Sequence, residues 1–169
     1  MSFLELTTSR YSARKFKDQP VEQGKLAQIL EAGRVAPTAK NNQPQRIKVI
    51  TMPEDFAKVD ECTPCRFGAQ LVLLICYDKT ICWERHFDGA MSGEVDASIV
   101  TTSMMFAAEE LGLGTCWVMH FDAQKASEVF ALPENIVPVA MLPIGYCADD
   151  CAPSPAHGVR MDMEEFLLR

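Results

Sequence analysis

Ala97-Ser98-Ile99-Val100-Thr101-Thr102-Ser103-Met104-Met105-Phe106-Ala107-Ala108 contains no charged residue. It lies inside the longest helical pattern of the chain, Gly93 to Gly112. Ser98, Thr101, Thr102 and Ser103 can satisfy their hydroxyls on the carbonyls of their own helix. A helix that is neutral on every side for about three turns must be covered on every side. In a chain of 169 residues it is either the central core helix or half of a subunit interface. Glu94 and Asp96 sit near its N-terminus, where the helix dipole favours them. Gly112 and Gly114 end it.

Upstream of this helix, residues 2–9 read as a short helix with Ser2 as N-cap. Val21 to Val35 is an amphipathic helix, with apolar residues at three- and four-residue steps. Ala36 to Pro44 is an ordered loop, short and flanked by strongly patterned elements. Ile47–Ile50 is a strand, and Met52–Cys65 reads as irregular or weakly helical. Gln70 to Tyr77 is a central strand, apolar on both faces and so covered on both. Asp78 to Gly93 has no clear period and reads as a surface excursion, with a lid or substrate-side loop as the alternative that Trp83, Arg85, His86 and Phe87 suit. Downstream, Thr115–Met119 is a strand and Asp122–Phe130 a helix capped by Asp122. Ile136–Ile144 is the last strand. A proline-rich segment then delivers Arg160 just before a short helix over 162–168. Elements of both kinds, joined by crossings of unequal length, favour an α+β sheet with helices packed on it, in one domain over 1–169.

Composition narrows the partners. The formal net charge is -7, so a nucleic-acid partner is not expected, since backbone binding needs a basic face. The apolar run Leu71 to Cys76 is too short to span a bilayer, and the N-terminus lacks the pattern of a secretory signal. Seven scattered cysteines imply no disulfide framework and point to a reducing, cytoplasmic setting. Cys62-Thr63-Pro64-Cys65 lacks a matching second pair, so no metal site is assigned to it.

Against that acidic background, Arg10-Tyr11-Ser12-Ala13-Arg14-Lys15-Phe16-Lys17 packs four cations into eight residues. Arginine forks and a serine hydroxyl suit one small, multiply charged anion better than a polymer. The alternative is a solvated basic turn.

Four segments together resemble the nitroreductase family of FMN-dependent oxidoreductases. Arg10 to Phe16 resembles R-x-S-x-R-x-F, and Ala36-Pro37-Thr38-Ala39 with Asn42 and Gln43-Pro44 resembles A-P-S-A-x-N-x-Q-P-W. Asp96 to Trp117 resembles the long interface helix ending in G-L-G-x-x-W, and Pro143-Ile144-Gly145-Tyr146 leads to Arg160. The resemblance spans essentially the whole chain. It implies an α/β/α sandwich with a mixed, mainly antiparallel sheet, working as an intertwined homodimer with FMN between subunits. Arg10, Ser12 and Arg160 would hold the phosphate, with Tyr11 in the same motif. Arg14 would lie near the N1/C2 edge of the ring. Pro37, Thr38, Ala39, Asn42 and Gln43 would come from the partner subunit. Gly114 and Thr115 would lie near the ring's other face, and a backbone N–H in Gly114 to Trp117 would serve N5. NADH or NADPH would deliver a hydride to N5, and a nitroaromatic, quinone or similar small acceptor would take it in a ping-pong cycle. No protein side chain need be catalytic. Reductive dehalogenation on the same fold, or a flavin-binding protein for storage or sensing, are the alternatives. Two departures stand out: Thr38 replaces the motif serine and keeps its hydroxyl, whereas Gln45 replaces the motif tryptophan and removes an aromatic side chain.

Overall fold

A computed structural model describes residues 2–168. The chain opens with α1 (Phe3–Ser9), where Ser2 and Glu5 form a reciprocal capping box. α2 (Gln23–Arg34) buries Leu26, Ile29 and Gly33, one face of the expected amphipathic pattern. After a single 3₁₀ turn over Ala39–Asn41 come β1 (Gln45–Ile50) and α3 (Pro53–Cys62). Of the two readings of Met52–Cys65, irregular or weakly helical, the helical one holds over Pro53–Cys62. Pro53 starts α3, Glu54 and Asp55 complement the dipole of its first turn, and Phe56, Val59 and Cys62 bury at three-residue steps. Only three apolar contacts carry the period, which makes the pattern faint in the sequence.

β2 (Leu71–Asp78) follows, then the two-residue strands β3 (Glu84–Arg85) and β4 (Ala90–Met91), paired as a small hairpin in the Asp78–Gly93 excursion. The neutral stretch forms the core of α4 (Gly93–Glu110). It is followed by β5 (Gly114–Thr115), α5 (Ala123–Val129), β6 (Ile136–Gly145) and a short α6 (Met163–Phe166). The Asp122 side chain caps α5 by accepting from the Lys125 N–H at 2.9 Å.

The main sheet has the order β1-β2-β6-β5, with every neighbouring strand pair antiparallel. A parallel bridge from Ser12 to Thr115 adds the mixed element. Alternation along β2 and β6 divides the core in two. Leu71, Leu73, Ile75, Ala140, Leu142 and Ile144 face α2 and α4. Val72, Leu74, Cys76 and Met141 face α3 and α5. Helices thus cover both faces, as an α/β/α sandwich requires. Among the described residues, no helix is long and apolar enough to cross a membrane.

α4 packs on the sheet through Ala97, Val100, Thr101, Met104 and Ala108, all buried. The helical hydroxyls bond back as anticipated: Ser98 to Glu94, Thr101 to Ala97, Thr102 to Ser98 and Ser103 to Ile99. The opposite face is another matter. Val95 is 60% exposed and Ile99 38%. Covering on every side is therefore not met within one chain. Along this bare face runs a hollow of about 670 Å³, lined by Pro37, Val95, Ile99 and their polar neighbours on α4.

Candidate functional site

The basic stretch lies against the edge of the sheet. Ala13 and Phe16 bury there, the Ala13 N–H donates to the Thr115 carbonyl at 2.9 Å, and the Lys17 N–H donates to Tyr146 at 2.8 Å. Arg14, Lys15 and Lys17 are exposed, and the four cations then divide. Lys15 pairs with Asp150, and Lys17 pairs with Asp149 at 2.6 Å. Neither Arg10 nor Arg14 forms an ion pair among the described residues. The lysines thus fasten the stretch to the turn after β6, and the arginines stay available.

Arg10, Tyr11, Ser12 and Arg14 meet Ser154, Ala156 and His157 around a cleft of about 120 Å³. That volume suits a phosphate-sized group rather than a ring system. Thr115 lies across the bridge from Ser12, is fully buried, and its hydroxyl finds no partner among the described residues. A buried hydroxyl without a partner is costly and calls for an acceptor. Two guanidinium groups and the Ser12 hydroxyl fit an anionic phosphate. Burial pushes the nearby Glu109 carboxyl up, and the Arg10 charge pulls it partly back. Tyr11 donates to the Cys151 carbonyl at 3.3 Å, and burial among the Cys147 and Cys151 thiols raises its phenol.

Arg160 does not line this cleft. Its guanidinium donates to the carbonyls of His157 and Val159, the latter at 2.8 Å. Ser154 and His157 take that side of the cleft instead. The motifs do not include His157; its place beside Arg160 in the tail is the signal the sequence offers. Its ring stands edge-on to Tyr11 at 6.2 Å.

The second predicted segment lies at the other end of α4. Lys40, Asn41 and Gln43 all hold left-handed φ values, 51°, 56° and 51°. Non-glycine residues there cost about 1–3 kcal/mol each and persist only where neighbours dictate the shape. Those neighbours are visible. The Gln43 N–H donates to Thr38 Oγ1 at 3.1 Å, so Thr38 does the work available to the motif serine. Asn42 Nδ2 donates to the Ile81 carbonyl at 3.0 Å, and the Ala39 N–H donates to Asp96 Oδ1 at 2.8 Å. Asp96 is the residue that sequence reading passed over as a dipole partner.

Asp96 and Glu109 are thirteen positions apart on α4, so the loop and the cleft are separated by about 20 Å along the helix. Within one chain the structure brings together Arg10, Tyr11, Ser12, Arg14, Gly114 and Thr115. It keeps Pro37, Thr38, Ala39, Asn42 and Gln43 away from them.

Comparison with known proteins bears on family and fold. The sequence pattern of the nitroreductase family matches residues 7–63 and 67–146. A Bacillus subtilis protein named FMN reductase (NAD(P)H) is 31% identical over 166 residues, covering 88% of this chain and 67% of that protein. The crystal structure of a nitroreductase family protein from Clostridium difficile superposes with a TM-score of 0.94 at 38% identity, covering 99% of this chain and 98% of that one. A structure described as an FMN-dependent nitroreductase, also from Clostridium difficile, superposes with a TM-score of 0.77 at 25% identity, covering 95% and 99%. With its sandwich, its arginine-lined cleft and a family pattern running through most of its length, this chain belongs to the nitroreductase family.

Proposed function

We propose that this protein is an FMN-dependent oxidoreductase that passes reducing equivalents from NADH or NADPH to a nitroaromatic, quinone or similar small acceptor, as a cytoplasmic homodimer. The observation that carries the reading is the cleft of Arg10, Ser12 and Arg14, with its neighbouring lysines already paired. When bound, FMN supplies the hydride-accepting and hydride-donating chemistry.

The chain's own residues bind and orient. Arg10 and Arg14 neutralise a phosphate that carries nearly two negative charges, and Ser12 adds a neutral donor. Distance and burial support the dimer. One chain holds the Ala36–Pro44 loop and the cleft at opposite ends of α4. A two-fold pairing of antiparallel α4 helices covers Val95 and Ile99 and sets the loop of one subunit beside the cleft of the other. Nicotinamide and acceptor then use one opening in succession, which is the ping-pong order.

The test is spectroscopic. Purified protein should be yellow and release about one FMN per chain on denaturation. Without oxygen, NADH or NADPH should bleach it, and a quinone or nitroaromatic should restore the colour. Colourless protein that cannot be reconstituted with FMN overturns the proposal.

A further inference from the structure

Asp96 is 1% exposed, and both of its carboxylate oxygens are used. Oδ1 accepts from the Ala39 N–H at 2.8 Å, which fixes the strained loop. Oδ2 accepts from the Ser92 hydroxyl at 2.7 Å. Ser92 in turn joins the hairpin excursion: its Oγ accepts from the Trp83 N–H at 3.2 Å, and its own N–H donates to the Trp83 carbonyl at 2.9 Å. The Asn42–Ile81 bond makes a second link between the same two segments. Between hairpin, loop and α4 opens a cleft of about 430 Å³, walled by Trp83, Arg85, Met91 and Ile99, with Ala39 and Asp96 at its base. Arg85 is engaged by Asp88 through two contacts, at 2.7 and 2.6 Å, so the wall offers apolar and aromatic surface with little free charge.

We propose that Asp96 is a positioning residue whose two oxygens lock the Ala36–Pro44 loop and the β3–β4 hairpin into one unit, and that the hairpin thereby sets the affinity for a planar, uncharged acceptor in the adjoining cleft. This rests on the flavin reading of the loop. A buried carboxylate suits the task because charge-assisted bonds are short and strong, and one carboxylate accepts from two segments at once. Asparagine keeps the acceptor for Ala39 and can donate to Ser92. Alanine keeps neither contact.

Three variants test it: Asp96→Ala, Asp96→Asn and Ser92→Ala. Hydrogen–deuterium exchange on flavin-free protein is read over residues 36–44 and 81–92. FMN affinity is read by fluorescence titration, and KM and kcat are read with NADH and p-benzoquinone. Asp96→Ala should raise exchange in both segments and weaken FMN binding about tenfold. Asp96→Asn should stay within about threefold of wild type. Ser92→Ala leaves the Ala39 contact, so it should keep FMN affinity, loosen the hairpin and raise KM severalfold more than it lowers kcat. Wild-type exchange and wild-type KM in Ser92→Ala overturn the proposal even where Asp96→Ala fails to fold, and so does wild-type loop exchange in a folded Asp96→Ala. Wild-type protein that takes up no FMN refutes the flavin reading instead, while the exchange measurements still judge the coupling of loop and hairpin.

Discussion

Gly114→Ala tests how closely the phosphate cleft depends on the sheet edge beneath it. A Cβ on Gly114 would press on Cys147 Sγ and stand 2.8 Å from the Cβ of Ala13. The thiol can turn aside. Ala13 cannot, because its Cβ moves only with its backbone, it is fully buried, and its N–H is bonded to Thr115. The Arg10–Phe16 stretch must therefore lift from β5. Overpacking of this kind costs about 1–3 kcal/mol. The lost flexibility of glycine in the unfolded chain returns about 0.4–1 kcal/mol. The central values leave a net of about 1.3 kcal/mol, a fall of about 3–5 °C in Tm at this chain length. Adding Cys147→Ala should recover part of the loss and leave the Ala13 part, giving a measurable coupling in a double-mutant cycle. Thermal unfolding of the four proteins, with FMN titration beside it, makes the check. FMN affinity should fall with stability, because Ser12 and Thr115 share the disturbed bridge. A Gly114→Ala protein with unchanged Tm and unchanged FMN affinity refutes the reasoning, as would strict additivity with Cys147→Ala.

Arg10→Ala should weaken FMN binding about tenfold or more, while Lys15→Ala, whose partner is Asp150, should change it less; equal effects would deny the division of labour between arginines and lysines. Val95→Glu places a charge on the bare face of α4 and should shift sedimentation from dimer to monomer with loss of flavin; a variant that remains a yellow dimer argues against the α4 pairing. Hydrogen bonds from the Thr80 side chain, from Asn135 and from the Thr80 N–H hold the Asp78 carboxyl down at about 2. A depressed carboxylate stabilises the fold above its unfolded value of about 3.9, and that contribution is lost as pH falls towards about 2. Acid unfolding of Asp78→Asn should accordingly be flatter than wild type across that window, and parallel curves would contradict the assignment.

Much of the fold was legible because burial leaves a period. β2 and α4 announce themselves by unbroken apolar or neutral runs, and α2 and α5 by spacing and caps. α3 was left between weak helix and irregular chain because three buried side chains and a proline start give little contrast with a loop. The β3–β4 hairpin was missed because its strands have two residues each, too few for any alternation to show. At the site, chemistry was easier to see than geometry. Arg10, Ser12 and Arg14 were evident as an anion-binding set, whereas His157 and Ser154 come from a proline-rich tail without pattern. Asp96 looked like an ordinary first-turn acid, since nothing in its neighbours tells that its oxygens reach Ala39 and Ser92.

What the sequence determines by itself is local and periodic: which segments are helix or strand, which faces are apolar, and where several arginines crowd together. Those features follow from spacing along one chain, and they extend to the neutral surface of α4 that must be covered. The tertiary structure alone decides pairing. It assigns Lys15 and Lys17 to Asp150 and Asp149, leaves Arg10 and Arg14 without carboxylate partners and the Thr115 hydroxyl without a hydrogen bond among the described residues, and sets the loop and the cleft about 20 Å apart along α4. The physical reason is that a charge or hydroxyl is satisfied by what lies near it in space, and residues more than a hundred positions apart become neighbours only when the sheet closes.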